Sequence, residues 1–533
     1  MGKIEDLINN MSVDDLCGQL LCYSMPLKGN MEEEIKRTKP GGIFVYGASR
    51  AQIKEYTDLV NKYTKVSVIV ASDVENGPGG GALAENYTVL PMPMACGAAD
   101  DEILMEKAGC DTARICRKNG IHWTFSPVVD INYNPNNSVT NIRAVSDKPE
   151  QVVKIAGAYL RGIQKEGYMA ATCKHFPGDG MDDRNQHLCT TVNSMSKENW
   201  MNTYGYVYRE MFKQDAAAVM IGHISLPAYQ KDEYDEITGY KPASLSYNLT
   251  TKLLREELGF KGCIVSDAMC MIGVAAMVKE EDAVAEFINA GGNMALFVEP
   301  KDFDYLKLAV QNGKVTMEQL KNSVKKVLEL KERVGLFDTE QKEVKEPEDI
   351  ENTALKIAEK SISIVRNAEN VLPLNLKKGD NVLLYNIIET EKGPDIVPFD
   401  TLKCEFEKRG IGVNVLTNPG HREIENAIND KKPNCVLVNS RLSSNECNGS
   451  SLRMTFNQMA GFWRGLIFKN PKVVYTSFGD PYKIHEVPFM KTYVNAYSST
   501  VEMQKAFVKV VLGEINAVGK NPIGFIGYFD CEV

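Results

Sequence analysis

A closed (β/α)8 TIM barrel followed by a second α/β domain, an α/β sandwich, is the fold this sequence predicts, and three observations predict it. Eight short apolar runs, each followed by a stretch of helical period, fill the first 336 residues. Ionisable side chains gather at the C-terminal ends of those runs, where the loops of a barrel build its reactive face. After a charged break, the alternation of apolar runs and helical stretches resumes. A chain of 533 residues exceeds one ordinary core, so two unequal domains are expected: 1–336 and 350–533, joined by a linker over 337–349.

The eight strand candidates of the first domain are 20–24, 42–46, 66–71, 122–125, 169–173, 218–221, 263–265 and 294–298. Between them lie helical candidates such as 101–118, 149–166 and 317–333, with apolar residues three and four apart. The segment DTEQKEVKEPED (338–349) has little to bury and reads as the linker. Beyond it, apolar runs at 382–387, 413–416, 435–438, 473–476 and 493–497 predict a parallel sheet flanked by helices. There is no internal repeat. The run GPGGG (77–81) lacks the lysine and hydroxyl of a phosphate loop, which argues against a nucleotide site.

A hydrophobic content of 44% with 25% charged residues is that of a globular protein. A net charge of -9 argues against nucleic acid or an anionic membrane as the main partner. The thirteen cysteines are odd in number and lack paired spacing, which favours reduced thiols. The start, MGKIEDLINNMSVDDL, has no basic segment leading into an apolar run, and no window approaches the roughly eighteen apolar residues of a membrane span. A cytoplasmic location is therefore expected.

The stretch KHFPGDGMDDRNQH (174–187) concentrates the chemistry, packing two histidines, a lysine and three aspartates into one loop. Buried charges need partners, so such density marks either a solvated surface loop or the lining of a site. The barrel register favours a site. Asp73 follows the third run, Asp130 and Arg143 lie beyond the fourth, Lys174 and His175 close the fifth, His223 closes the sixth and Asp267 the seventh. Of six histidines, His175, His187 and His223 fall in these loops, and His122 sits at the opposite end of its strand. Asp267 is open to two uses, as a cap for the following helix or as a reactive carboxylate. His187 titrates near neutral pH and so suits proton transfer, unless it is an idle residue of a mobile loop. Asp73, Arg143, Lys174 and His175 suit a grip on the hydroxyls of a polar ligand, or ion pairing across the barrel rim. A carboxylate on a strand end with a histidine on a loop suits displacement at an anomeric carbon, where two carboxyl groups about 5–5.5 Å apart are usual.

Seven segments carry a resemblance: GGIFVYG (41–47), ASDVENG (71–77), FSPVVDIN (125–132), KHFPGDG (174–180), PASLSYNL (242–249), LREELGFKGCIVSDAM (254–269) and KSISIVRN (360–367). They resemble glycoside hydrolase family 3, in its β-N-acetylglucosaminidase branch that uses a histidine as acid/base. The resemblance implies a barrel followed by an α/β sandwich. It implies Asp267 as nucleophile, His187 as acid/base, and Asp73, Arg143, Lys174 and His175 as ligands of the terminal sugar. It implies a small glycan or amino-sugar glycoside as substrate and no metal or organic cofactor.

Two departures stand out. The family places an aspartate two positions before its acid/base histidine, and here that position is Asn185. An amide oxygen still accepts the ring N–H, but it lends no charge to an imidazolium. In a serine-protease triad the comparable Asp-to-Asn change lowers kcat by roughly 10⁴. Asp182 and Asp183 are nearby substitutes at a different spacing. The glycine-rich loop after Asp73 also lacks an arginine that the family often carries. The expected function is a retaining exo-β-N-acetylglucosaminidase. Its alternatives are a β-glucosidase or glycoside phosphorylase of the same family, a glycan-binding protein with a decayed catalytic pair, and a metal-dependent hydrolase built on His175, His187, His223 and Asp267.

Overall fold

The computed structural model describes residues 2–85, 87–338, 342–388, 398–442, 453–470 and 472–525. Eight parallel strands form the first sheet: β1 (Leu21–Ser24), β2 (Gly42–Phe44), β3 (Ile69–Ser72), β4 (Trp123–Thr124), β5 (Thr172–Phe176), β6 (Ala218–Ile221), β7 (Cys263–Ala268) and β8 (Met294–Leu296). Their spatial order is their chain order from β4 back to β1 and on through β8, β7 and β6 to β5. Single parallel bridges, Trp123 to Ala170 and Val128 to Lys174, close β4 onto β5. The barrel expected from the sequence is therefore present and nearly closed.

Its interior and outer ring follow from the sequence pattern. Phe44, Trp123 and Phe125 pack inside in stacked and edge-on contacts. The helix Glu102–Lys118 starts where the Asp101 side chain accepts from the Leu104 amide, and ends with Arg117 and Lys118 facing the negative end of its dipole. It lies against Pro149–Gln164 at close range because Gly109 and Gly162 meet there; a Cβ on Gly162 would stand 2.2 Å from the Glu106 carbonyl.

Two of the shifted strand bounds bear on the site. The fifth was expected at 169–173, with Lys174 and His175 beyond its end, but β5 runs Thr172–Phe176 and contains both. Polar side chains are held inside the strand end because their partners come from other loops, which local pattern does not show. The seventh extends to Ala268, so Asp267 is its penultimate residue rather than the first of the loop.

The second sheet has six strands: β9 (Ser363–Asn367), β10 (Asn381–Ile388), β11 (Gly412–Thr417), β12 (Cys435–Arg441), β13 (Val473–Ser477) and β14 (Thr492–Asn495), ordered β9-β14-β13-β12-β10-β11. It is parallel except at β9, which pairs antiparallel to β14. That edge strand corrects the expectation of a wholly parallel sheet; its alternation is short and it follows directly on the helix Ile350–Ser361. The charged stretch 342–349 is tied down. Asp111 accepts from the Glu348 and Asp349 amides at 2.8 and 3.1 Å, and Lys345 pairs with Glu166 at 2.8 Å. The second unit also meets the loops after β4: Asn132 donates to the Tyr482 hydroxyl at 3.0 Å and Asn141 to Asp480 at 3.3 Å. Among the described residues no helix is long and apolar enough to cross a membrane.

Candidate active site

The Lys174–His187 stretch is built in two parts. The first, Pro177 to Gly180, is a turn clamped from outside: the Trp200 indole donates to the Pro177 carbonyl at 2.8 Å, and the Tyr204 hydroxyl to that of Asp179. Gly178 and Gly180 adopt φ of +121° and +98°, and a Cβ on Gly180 would lie 2.0 Å from the Ile131 carbonyl. The second part, 185–190, is pinned to the exits of β6 and β7. The Ile272 amide donates to the His187 carbonyl at 3.0 Å, the Thr190 hydroxyl to that of Gly273 at 2.7 Å, and the His223 amide to Gln186 at 2.9 Å. A sequence-distant carboxylate, Asp267, and the His187 loop are thereby held in one frame.

Four charges at the mouth form a linked set. Lys174 donates to Asp73 at 2.9 Å and pairs with Glu75 at 2.6 Å, while Arg143 grips Glu75 with two bonds of 2.9 and 2.7 Å. Burial opposes the charges of Glu75 and Lys174, but the pairing outweighs it. Arg143 and Lys174 hold Glu75 well below the usual carboxylate range, and Asp73 and Glu75 hold Lys174 above the usual amine range.

Asp130, at the exit of β4, accepts from the His175 amide at 3.1 Å, the His175 Nδ1 at 2.7 Å and the Asp179 amide at 2.8 Å. Burial would depress His175, yet the Asp130 carboxylate raises it above the ordinary value. Asp179 accepts from Asn137 and Gly180, and burial with the neighbouring Asp130 charge pushes its carboxyl up to about 6. His187 has the same arrangement with a different partner: Asn185 Oδ1 accepts from the His187 amide at 2.9 Å and from its Nδ1 at 2.7 Å. Asp182 does not take the aspartate's place, because it is bonded to Arg184 and to the Val192 amide.

Asp267 stands where these parts converge. Burial works against its charge, but His175, His223 and His187 together hold the carboxyl below its usual value, and its Oδ1 accepts from the Ala268 amide at 2.8 Å. His223 is buried and its pKa is depressed by that burial. Its Nε2 lies 3.0 Å from the Ala268 carbonyl, which can only accept, so Nε2 carries the proton and Nδ1 accepts from the Ser244 hydroxyl. His223 is thus committed to holding the β7 exit. Among the described residues no three His, Cys, Asp or Glu side chains are placed to hold a metal ion. The arrangement offers an anionic carboxylate on a rigid strand, a histidine with Nδ1 fixed, and a charged cradle beside them.

The sequence singled out Asp267, His187, Asn185, Lys174, His175, Asp73 and Arg143, and the structure draws all seven into this one region. It adds Glu75, which bridges the two cations, and gives Asp130, noted from the sequence as a strand-end carboxylate, the role of orienting His175. Glu75 lies in the turn after β3, two residues on from Asp73, and only its place in the ASDVENG segment pointed to it in the sequence.

A sequence model of the glycosyl hydrolase family 3 N-terminal domain matches residues 12–330. The chain belongs to glycosyl hydrolase family 3. This family 3 glycoside hydrolase is 28% identical over 565 residues to a protein of Cellulomonas fimi named beta-N-acetylglucosaminidase/beta-glucosidase, covering 99% of this chain and 97% of that one. A solved beta-glucoside phosphorylase is 28% identical with a TM-score of 0.89, covering 99% of this family 3 chain and 97% of its own. A family 3 beta-N-acetylglucosaminidase from Paenibacillus sp. is 25% identical with a TM-score of 0.83, covering 97% and 99%.

Proposed function

We propose that this chain is a retaining exo-β-N-acetylglucosaminidase. Asp267 attacks the anomeric carbon as His187, protonated at Nε2, gives its proton to the departing oxygen. Water then cleaves the glycosyl ester of Asp267, with neutral His187 taking the water's proton at the same nitrogen. Lys174, Arg143, Asp73 and His175 hold the hydroxyls of the terminal sugar. The observation that carries this reading is the convergence of three histidines on an anionic Asp267, with the His187 loop bonded to the strand exit that carries it. Turnover of p-nitrophenyl β-N-acetylglucosaminide well above that of the glucoside is the expected result; the reverse order would overturn the choice of sugar.

A second reading, phosphorolysis, is favoured by the Asn185–His187 pair. With the Asn185 amide rather than a carboxylate at its Nδ1, the imidazolium of His187 is a stronger acid and the neutral ring a weaker base than with an aspartate at position 185. Water needs that base, whereas phosphate is already an anionic nucleophile and meets an amide rather than a carboxylate at position 185. The likeness in fold and sequence to a beta-glucoside phosphorylase supports the same reading. Sugar release compared with and without inorganic phosphate, with the product assayed for a sugar 1-phosphate, separates the two acceptors.

A further inference from the structure

Arg143, which grips Glu75 in the charged cradle, sits on a short 3-10 turn, Asn141–Arg143, whose three residues are all buried. The turn lies in the barrel half of the chain, yet the second domain holds it on both sides of Arg143. Before Arg143, the Asn141 side-chain amide donates to Asp480 Oδ1 at 3.3 Å, and Ile142 packs in the apolar core of the second domain with Met92 and Met94. After it, the Ser146 hydroxyl donates to the Pro522 carbonyl at 2.5 Å, and the Gly524 amide to Asp147 at 2.6 Å. Two side chains of the turn are thus engaged by the second domain, while the third reaches back to Glu75.

The anchor on the second domain is itself braced. Asp480 Oδ1 also accepts from the Tyr482 amide at 3.1 Å, capping the 3-10 helix Pro481–His485, and its other oxygen pairs with the buried Lys483 at 3.0 Å. Lys483 in turn pairs with Glu486 at 2.7 Å. The Tyr482 hydroxyl accepts from Asn132 at 3.0 Å, and Asn132 accepts from the Thr140 hydroxyl at 3.1 Å. One short helix therefore fixes both ends of the 132–141 loop. We infer that Asp480 and Tyr482 are positioning residues for the sugar cradle: through Asn141 and Asn132 they fix the turn that aims Arg143, so that the second domain sets affinity for the terminal sugar without touching it.

The inference rests on the glycosidase reading above, in which Arg143 holds a sugar hydroxyl, and adds a role for the second domain. A guanidinium is a planar fork whose bonds are directional, and two of them are already committed to Glu75. A shift of about 1 Å in its backbone misplaces the donors left for a ligand. Asp267 and the His187 loop are held by other bonds, to Ala268, Ile272 and Gly273. Loosening the turn should therefore weaken binding of substrate and transition state alike, which raises KM and leaves kcat nearly unchanged.

Two substitutions release the turn. Asn141→Gly removes the tether and suits the backbone, since Asn141 has φ of +34°; Tyr482→Phe removes the hydroxyl that Asn132 bonds. KM and kcat are measured with p-nitrophenyl β-N-acetylglucosaminide and β-glucoside, and calorimetric Kd values for the same compounds with Asp267→Asn versions. Each change should raise KM and Kd at least fivefold for the better-bound sugar, with kcat within threefold. In an Arg143→Ala background the same changes should alter Kd less than twofold. Asp480→Ala should match Asn141→Gly, whereas Asp480→Asn, which keeps an oxygen for Asn141, should leave Kd within twofold of the unaltered residue. Equal fold-changes with and without Arg143, or losses confined to kcat or thermal stability at constant KM and Kd, overturn the inference. So does absence of binding of either compound, which leaves no affinity for the second domain to set. Failure of the glycosidase reading shows separately, as absence of turnover of any p-nitrophenyl glycoside by the unaltered chain.

Discussion

His175 and His187 are held in the same way and differ in one atom's charge. Each ring offers Nδ1 to an oxygen 2.7 Å away, and each backbone amide bonds the same side chain, Asp130 for His175 and Asn185 for His187. Geometry fixes the tautomer equally well in both. Only Asp130 supplies a negative charge, and it raises His175 against the depression that burial alone would cause. The comparison teaches that orientation and charge are separable duties of a histidine's partner. This protein keeps both at the histidine beside the sugar cradle and only the first at the histidine of the 185–190 segment.

Exchanging these partners is the way to break the comparison. The largest effect is expected from removing the ring: His187→Ala should lower kcat/KM by about 10²- to 10⁴-fold for an alkyl glycoside, the usual worth of general acid–base catalysis. It should cost far less for a dinitrophenyl glycoside, whose leaving oxygen needs no proton. Equal losses for the two substrates would remove His187 from proton transfer. Making His187 resemble His175 comes next. Asn185→Asp should raise hydrolysis of a poor leaving group by about 10²-fold or more. A carboxylate partner stabilises the imidazolium, so the alkaline limb of the kcat/KM profile should move to higher pH. An unchanged profile would show that Asn185 is not what limits His187.

The reverse exchange, Asp130→Asn, makes His175 resemble His187. Losing a charge-assisted bond of about 1.5–3 kcal/mol should appear as a roughly 10- to 100-fold rise in KM with a smaller change in kcat. The smallest effect concerns the carboxyl next to Asp130. Burial and the Asp130 charge raise the Asp179 carboxyl from the ordinary aspartate value near 3.8 to about 6, so its contribution to stability is full below pH 4 and is lost as pH rises through 6. Asp179→Asn should flatten thermal stability between pH 4 and 7 without changing the partners of Asp130. A stability profile identical to that of the unaltered chain would show that Asp179 does not titrate there.

The barrel was legible because its strands are apolar runs whose ends carry the only dense chemistry in the first half of the chain. Asp267, Lys174 and His175 stood out for that reason. Local pattern could not show that Lys174 and His175 lie within β5, since what holds them there, Asp73, Glu75 and Asp130, comes from the exits of β3 and β4. Asp130 was visible as a strand-end carboxylate, but its role depends on three donors from another loop. Asn185 was legible as a departure, and the structure adds that it keeps the bond while lacking the charge. Edge strand β9 and the bonds that fix 342–349 to Asp111 and Glu166 are set by tertiary contact alone.

The central claim is a covalent glycosyl intermediate on Asp267, and trapping tests it most directly. The unaltered chain is incubated with the 2-deoxy-2-fluoro β-glucosyl fluoride, which forms such an ester and releases it slowly, and is then read by intact-mass and peptide mass spectrometry. The account predicts a single added sugar on the peptide containing Asp267, and none on Asp267→Asn protein. Label on another carboxylate, or turnover of the natural leaving group with no trapped species under any condition, would contradict it.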